Sequence, residues 1–108
     1  MSPDLTFVQG DTAPALHGSL HVPGDPNTPI NLSLATAVRF QMRRADDVRY
    51  TVDAAAVIVN AQLGLVRYDW AANDLAQSGD FLAQFEVHFT DLTVQTNAVP
   101  ATIRVRRQ

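Results

Sequence analysis

The 108-residue chain has no cysteine and no lysine. Without cysteine it forms no disulfide, carries no thiolate nucleophile and holds no cysteine-based zinc or iron–sulfur site. Glutamate is almost as scarce: Glu86 is the only one, and it falls on an outward position of an alternating segment. No apolar run approaches the roughly 20 residues that a membrane-spanning helix needs. The opening MSPDLTFVQGD lacks a basic stretch followed by an apolar one, so synthesis in the cytoplasm without a secretory signal is expected. A net charge of −3 and a pI near 5.4 argue against nucleic-acid binding, which requires a basic surface. No phosphate loop, nucleophile elbow or zincin motif occurs. Neither catalysis, a cofactor nor a metal is expected, and no membrane partner.

What remains is ordinary in amount and regular in pattern. The apolar fraction, 46%, is that of a globular protein, and the length suits a single domain over residues 1–108. All eight cations are arginine. Arginine is suited to interface ion pairs by its planar, weakly hydrated fork, but GC-rich coding explains the same bias together with the many alanines.

Period-two alternation dominates. TAVRFQMRR sets Val38, Phe40 and Met42 against Arg39, Gln41 and Arg43. GDFLAQFEVHFT sets Phe81, Ala83, Phe85, Val87 and Phe89 against Leu82, Gln84, Glu86 and His88. Val66, Tyr68 and Trp70 oppose Leu65, Arg67 and Asp69, and Ile103 and Val105 oppose Arg104 and Arg106. One buried and one solvated face means an antiparallel sheet. Further strands are expected at LTFVQ, at ALHGSLHV, and over VRYTVDAAAVIVN as one long strand or a bent pair. WAANDLAQSGD reads as a helical turn, capped by Asn73 or Asp74 and ended by Gly79. Residues 23–29, with Pro23, Pro26 and Pro29, read as a loop within the domain. The expected fold is all-β, an antiparallel sandwich of about seven to eight strands.

Candidate sites are few. His17 and His21 would share a metal on a helix, but on a strand they stand roughly 13 Å apart. Asp69, Asn73, Asp74 and Asp80 lack the spacing of a calcium loop, and Asp46, Asp47 and Asp53 lie where turns need them. His88 reads as solvated. Carbohydrate binding would need exposed aromatics, and Tyr50 is the one that the alternation leaves outside, Trp70 falling on a core face. Arg39, Gln41, Arg43, Arg67, Glu86, His88, Arg104 and Arg106 form an outward face that is either solvated or a mixed-charge docking surface.

The order of motifs resembles the N-terminal domain family of the phage baseplate upper protein and related small virion proteins. The matching elements are Phe7, Gly10-Asp11-Thr12, the return Pro29-Ile30-Asn31-Leu32, the strand Val38 to Arg43, then Val66-Tyr68-Trp70, Asp74, Gly79 and Phe81 to Phe89. Gly79-Asp80-Phe81 also resembles the G-x-[YF] corner of immunoglobulin-like sandwiches. The resemblance spans about residues 5 to 106. It implies a virion structural protein with other phage structural proteins as partners, present in several symmetric copies on a baseplate, tail or capsid lattice. In that family the domain is followed by a linker, coiled coil or receptor-binding module. With the chain ending at Gln108, a mounting domain alone is expected. The implied docking elements are Leu5, Phe7 and Val8 at the N-terminus, Pro23, Pro26 and Pro29, and Arg39 and Arg43.

Overall fold

The computed structural model describes residues 5–22, 24–99 and 102–108. These form β1 (Leu5–Val8), β2 (Leu16–Ser19), β3 (His21–Val22), β4 (Asp25–Pro29), β5 (Ala35–Arg44), β6 (Tyr50–Ala55), β7 (Val57–Asn60), β8 (Leu65–Tyr68), β9 (Gly79–Phe89), β10 (Val94–Ala98) and β11 (Ile103–Arg106). The breaks at Leu20 and Ala56 are single residues, and β10 and β11 both pair with β9. The chain is all-β as expected, with eleven short strands against the seven to eight expected.

The larger sheet has the order β1-β11-β9-β5-β6, with β10 also paired to β9. β9 is its spine: β5 flanks it from Phe81 to Phe89, while β10 and β11 share its other side. β1 joins β11 in parallel, the one exception to the antiparallel pattern among the described pairs of this sheet. The second sheet is β2-β8-β7, and β3 and β4 make a separate hairpin. The alternation places its apolar members inside as expected: Phe40, Met42, Val87 and Ile103 are fully buried, with Val38, Phe81, Phe85, Val66, Tyr68 and Trp70 beside them. Phe40 lies at the centre, stacked on Tyr68 at 4.4 Å and edge-on to Trp70 at 5.5 Å. Each such ring contributes about 2–3 kcal/mol by leaving water.

The run 50–60 is the bent pair, and it closes one side of the sandwich. Ala56 N–H donates to Val38 C=O in the large sheet, and the next residue, Val57, is in register with Arg67 in the small one. On the opposite side the sheets part, and His21 N–H bridges the gap by donating to Asn97 Oδ1 at 3.2 Å.

Two local expectations are corrected. Residues 70–80 form successive turns and no helix: Asp74 N–H donates to Ala71 C=O, Ala76 N–H to Asn73 C=O, and Asn73 is left-handed at φ 73°. Leu75 is pinned in the core, Asp74 is drawn back to Tyr68 and Ala71, and Gly79 opens β9 where it was expected to end a helix. The proline segment is likewise a paired strand and not a plain loop, since β4 pairs with β3 through His21↔Pro29 and Val22↔Asp25 with a bulge. Proline lacks the N–H of a ladder donor but is tolerated on an edge such as this one. The Asp25 carboxylate ties the hairpin by accepting from Asn27 N–H and the Thr28 hydroxyl.

Candidate docking surface

The expected contact residues separate into three groups. In β1, alternation turns Leu5 and Phe7 inward. Phe7 is buried, edge-on to Trp70 at 5.2 Å, and Leu5 packs against the core. Val8 points outward and is 40% exposed. The end of β1 is closed by the Gly10-Asp11 turn: Gly10 adopts φ +87°, Asp11 N–H donates to Val8 C=O, and Val8 N–H donates to Asp11 Oδ2 at 2.9 Å. The second group is the hairpin, where Pro29 is exposed. Pro23 lies outside the described residues, and of Pro26 only the backbone is described.

Arg39 and Arg43 form the third group, on the outer face of β5. Arg39 clamps Asp53 through Nε to the carboxylate at 2.9 Å and Nη2 to the backbone carbonyl at 2.8 Å. Arg43 Nη1 donates to Asp47 C=O at 2.8 Å, closing the β5–β6 turn. Register places Val8, Arg104 and Arg106, then Leu82, Gln84, Glu86 and His88, and then Arg39, Gln41 and Arg43 on this one face. Its charges are largely matched internally: Arg104 Nε lies 3.1 Å from Asp80 Oδ1, and His88 Nε2 lies 2.7 Å from Glu86 Oε1. Tyr50, Val94 and Leu82 leave exposed apolar surface between them.

Gln41 is the residue that alternation misplaces. It occupies an outward position yet is only 6% exposed. Gln84 Nε2 donates to Gln41 Oε1 at 2.7 Å and to the Tyr50 hydroxyl at 3.0 Å, roofing it over. These residues line a shallow depression of about 200 Å³. Polar groups on both rows of an antiparallel pair, directly opposite each other, are the signal that marks such a cross-strand bridge.

The remaining polar candidates are occupied locally. Asp69 accepts from Arg67 Nη2 at 3.2 Å, and Asp74 accepts from the Tyr68 hydroxyl and from Ala71 N–H. Burial first, then the hydrogen bond to Asp74 and its charge, pushes the Tyr68 phenol well above its ordinary range. Asp46 sits by Arg44, and Asp47 is held below the usual carboxylate range chiefly by the N–H of Arg49. Asp53 is the partner of Arg39. His17 and His21 fall on β2 and β3 and line a larger groove, about 700 Å³, between those strands and the end of β10. Among the described residues no three metal-ligating side chains cluster. Trp70 is buried, and Tyr50 is 47% exposed.

A family model described as the BppU N-terminal domain matches residues 20–105. The Phe7 and Gly10-Asp11-Thr12 elements precede the matched span. No curated protein matches the chain. Among solved structures, the crystal structure of CopC from Methylosinus trichosporium OB3b superimposes with a TM-score of 0.53 at 10% identity, covering 99% of this chain and 87% of that one. That likeness is one of fold. The family match takes in β3 to β10 and most of β11, with the core they share, and the chain belongs to the baseplate upper protein (BppU) N-terminal domain family, whose members are phage baseplate-associated structural domains.

Proposed function

We propose that the protein is a virion subunit that docks on a baseplate, tail or capsid lattice and stabilises it, in several symmetric copies, through sandwich edges, the proline hairpin and the outer face of the large sheet. The observation that carries this reading is the family match over residues 20–105. The mechanism is passive. Pre-formed surface is buried against other phage structural proteins, and binding to the folded subunit lowers the free energy of the assembled state. Pro23, Pro26 and Pro29 restrict the hairpin before contact, so less conformational entropy is lost on docking. Val8, Arg39 and Arg43 supply the face, and Leu5 and Phe7 act from below by seating β1. The net charge of −3 argues against nucleic acid or an anionic membrane as the partner.

The test replaces residues 23–29 with a short glycine turn in a phage that carries the gene, alongside Val8→Asp and Arg43→Ala. Variants that keep the parental melting temperature are scored for incorporation into purified particles. Reduced incorporation is expected. Folded variants that all enter particles at the parental level would overturn docking through these elements.

A further inference from the structure

We infer that β10 is a self-pairing edge: two copies of the chain join antiparallel through Val94–Ala98, with Thr96 on the two-fold axis, and continue the large sheet from one subunit into the next. This rests on the multi-copy reading above and names the contact it uses.

The backbone of β10 is half spent. Phe89 N–H donates to Thr93 C=O and Val99 N–H to Ala83 C=O, so the odd residues of this segment turn their backbone groups toward β9. Antiparallel alternation then turns those of Val94, Thr96 and Ala98 to the opposite, unpaired side. On that side Val94, Thr96 and Ala98 are exposed. The groove between β10 and β2–β3 is lined by Asn97, Ala98 and Val99 on one wall and by His17 to Val22 on the other.

Other edges of the described fold carry devices that stop strands from pairing or, as with β2 and β3, are only four and two residues long. The outward N–H of Val8 in β1 is capped by Asp11. β4 holds two prolines, β6 carries Asp53 in an ion pair, and β7 is bulged. β10, VQTNA, has five residues with neither charge nor proline, and no bulge is found in its pairing with β9.

The charge pattern suits a second copy as the occupant. Around a two-fold axis each side chain approaches its own duplicate, so an edge with a net charge repels itself. On β10 there is none. The nearest outer-face charge is Glu86, in register with Thr96 on β9 and paired with His88. Across the joined sheet, Glu86 and its duplicate would stand three strand spacings apart, about 14 Å, beyond the Debye length of about 8 Å at physiological salt. With Thr96 facing Thr96, Val94 faces Ala98, and each of these pairs exchanges both N–H···O bonds.

The lack of native cysteine makes the register directly testable. Thr96→Cys places the only two thiols of a dimer on residues about 5.5 Å apart between Cα atoms, within disulfide reach. Val94→Cys places them roughly 13 Å apart along the strand, out of reach. The unmodified chain should sediment at twice its 11.8 kDa mass with rising concentration. Under mild oxidation Thr96→Cys should cross-link to a dimer while Val94→Cys stays monomeric on a non-reducing gel. Thr96→Arg, whose new charge faces Glu86 within its own chain but its duplicate across the axis, should weaken dimerisation about tenfold or more, which is about 1.4 kcal/mol. A parental chain that remains monomeric at its highest soluble concentration would overturn the inference. So would equal cross-linking by both cysteine variants, or an unweakened Thr96→Arg dimer. Incorporation into particles is scored separately: a chain that dimerises through Thr96 but never enters particles sinks the virion reading and leaves the edge pairing standing.

Discussion

Gly18 lies directly on the ring of Phe85. A Cβ at Gly18 would come to 2.7 Å from Phe85 Cε2 and 3.1 Å from Val66 Cγ2. At Gly18 β2 thus presents bare backbone to the core, and the ring fills the space a side chain would take. Phe85 is 1% exposed and packed at 5.3 Å from Phe40, so it has little room to retreat. Gly18→Ala should cost about 1–3 kcal/mol by overpacking. The measurement is a urea titration: the midpoint should fall with the slope unchanged. An unmoved midpoint would mean that the ring turns aside freely.

Gly64 separates contact from conformation. It holds φ +66°, and a Cβ there would meet Leu20 O at 2.6 Å and Ile30 O at 2.9 Å, both rigid backbone. Gly24 has a similar φ of +82° but open space around it. Gly24→Ala should cost only the left-handed penalty, about 1–2 kcal/mol. Gly64→Ala should cost more than about 3 kcal/mol by displacing backbone at the point where β2 turns into β3. Equal losses in paired thermal melts would refute the steric part.

Tyr68 and Asp74 hold the 70–80 turn against the core. Tyr68→Phe leaves the Asp74 carboxylate with the Ala71 N–H but without the phenol, a loss of about 1–3 kcal/mol. The pair also sets an alkaline limit. The folded phenol titrates above its ordinary value of 10.0, so the unfolded chain releases this proton first. Stability is complete below that value and is lost as pH rises past it. Tyr68→Phe should flatten the alkaline arm of a melting-temperature profile relative to the parent, and an identical slope would count against the assignment.

The acid arm belongs to surface turns. Asp25 is held below its usual value first by the Thr28 hydroxyl and then by Asn27 N–H, and Asp91 by the side chain and backbone of Thr93. Both contribute stability above the unfolded value of 3.8 that is lost as pH falls through their lower folded values. The double variant Asp25→Asn with Asp91→Asn should show a shallower decline than the parent below about pH 4. Parallel profiles would place the acid sensitivity elsewhere.

The sequence by itself determined the class of fold and the inside and outside of its main strands. Period-two alternation is a local property of each segment, so Phe40, Phe85, Tyr68 and Val105 could be assigned to the core before any strand was paired. The order of weak motifs from Phe7 to Phe89 carried the family as well. Only the tertiary structure decided what each edge does. Whether Val57 pairs in the same sheet as Ala55, whether β1 runs parallel to β11, and whether Gln41 is roofed by Gln84 all depend on residues distant along the chain. The same holds for residues 70–80, whose local helical signals yield to the pull of Tyr68 on Asp74 and of the core on Leu75. Alternation says which face of a strand meets the core. It does not say which neighbour takes its backbone hydrogen bonds, and the edge of β10 proposed above to pair with a second copy is defined only once the strands are placed.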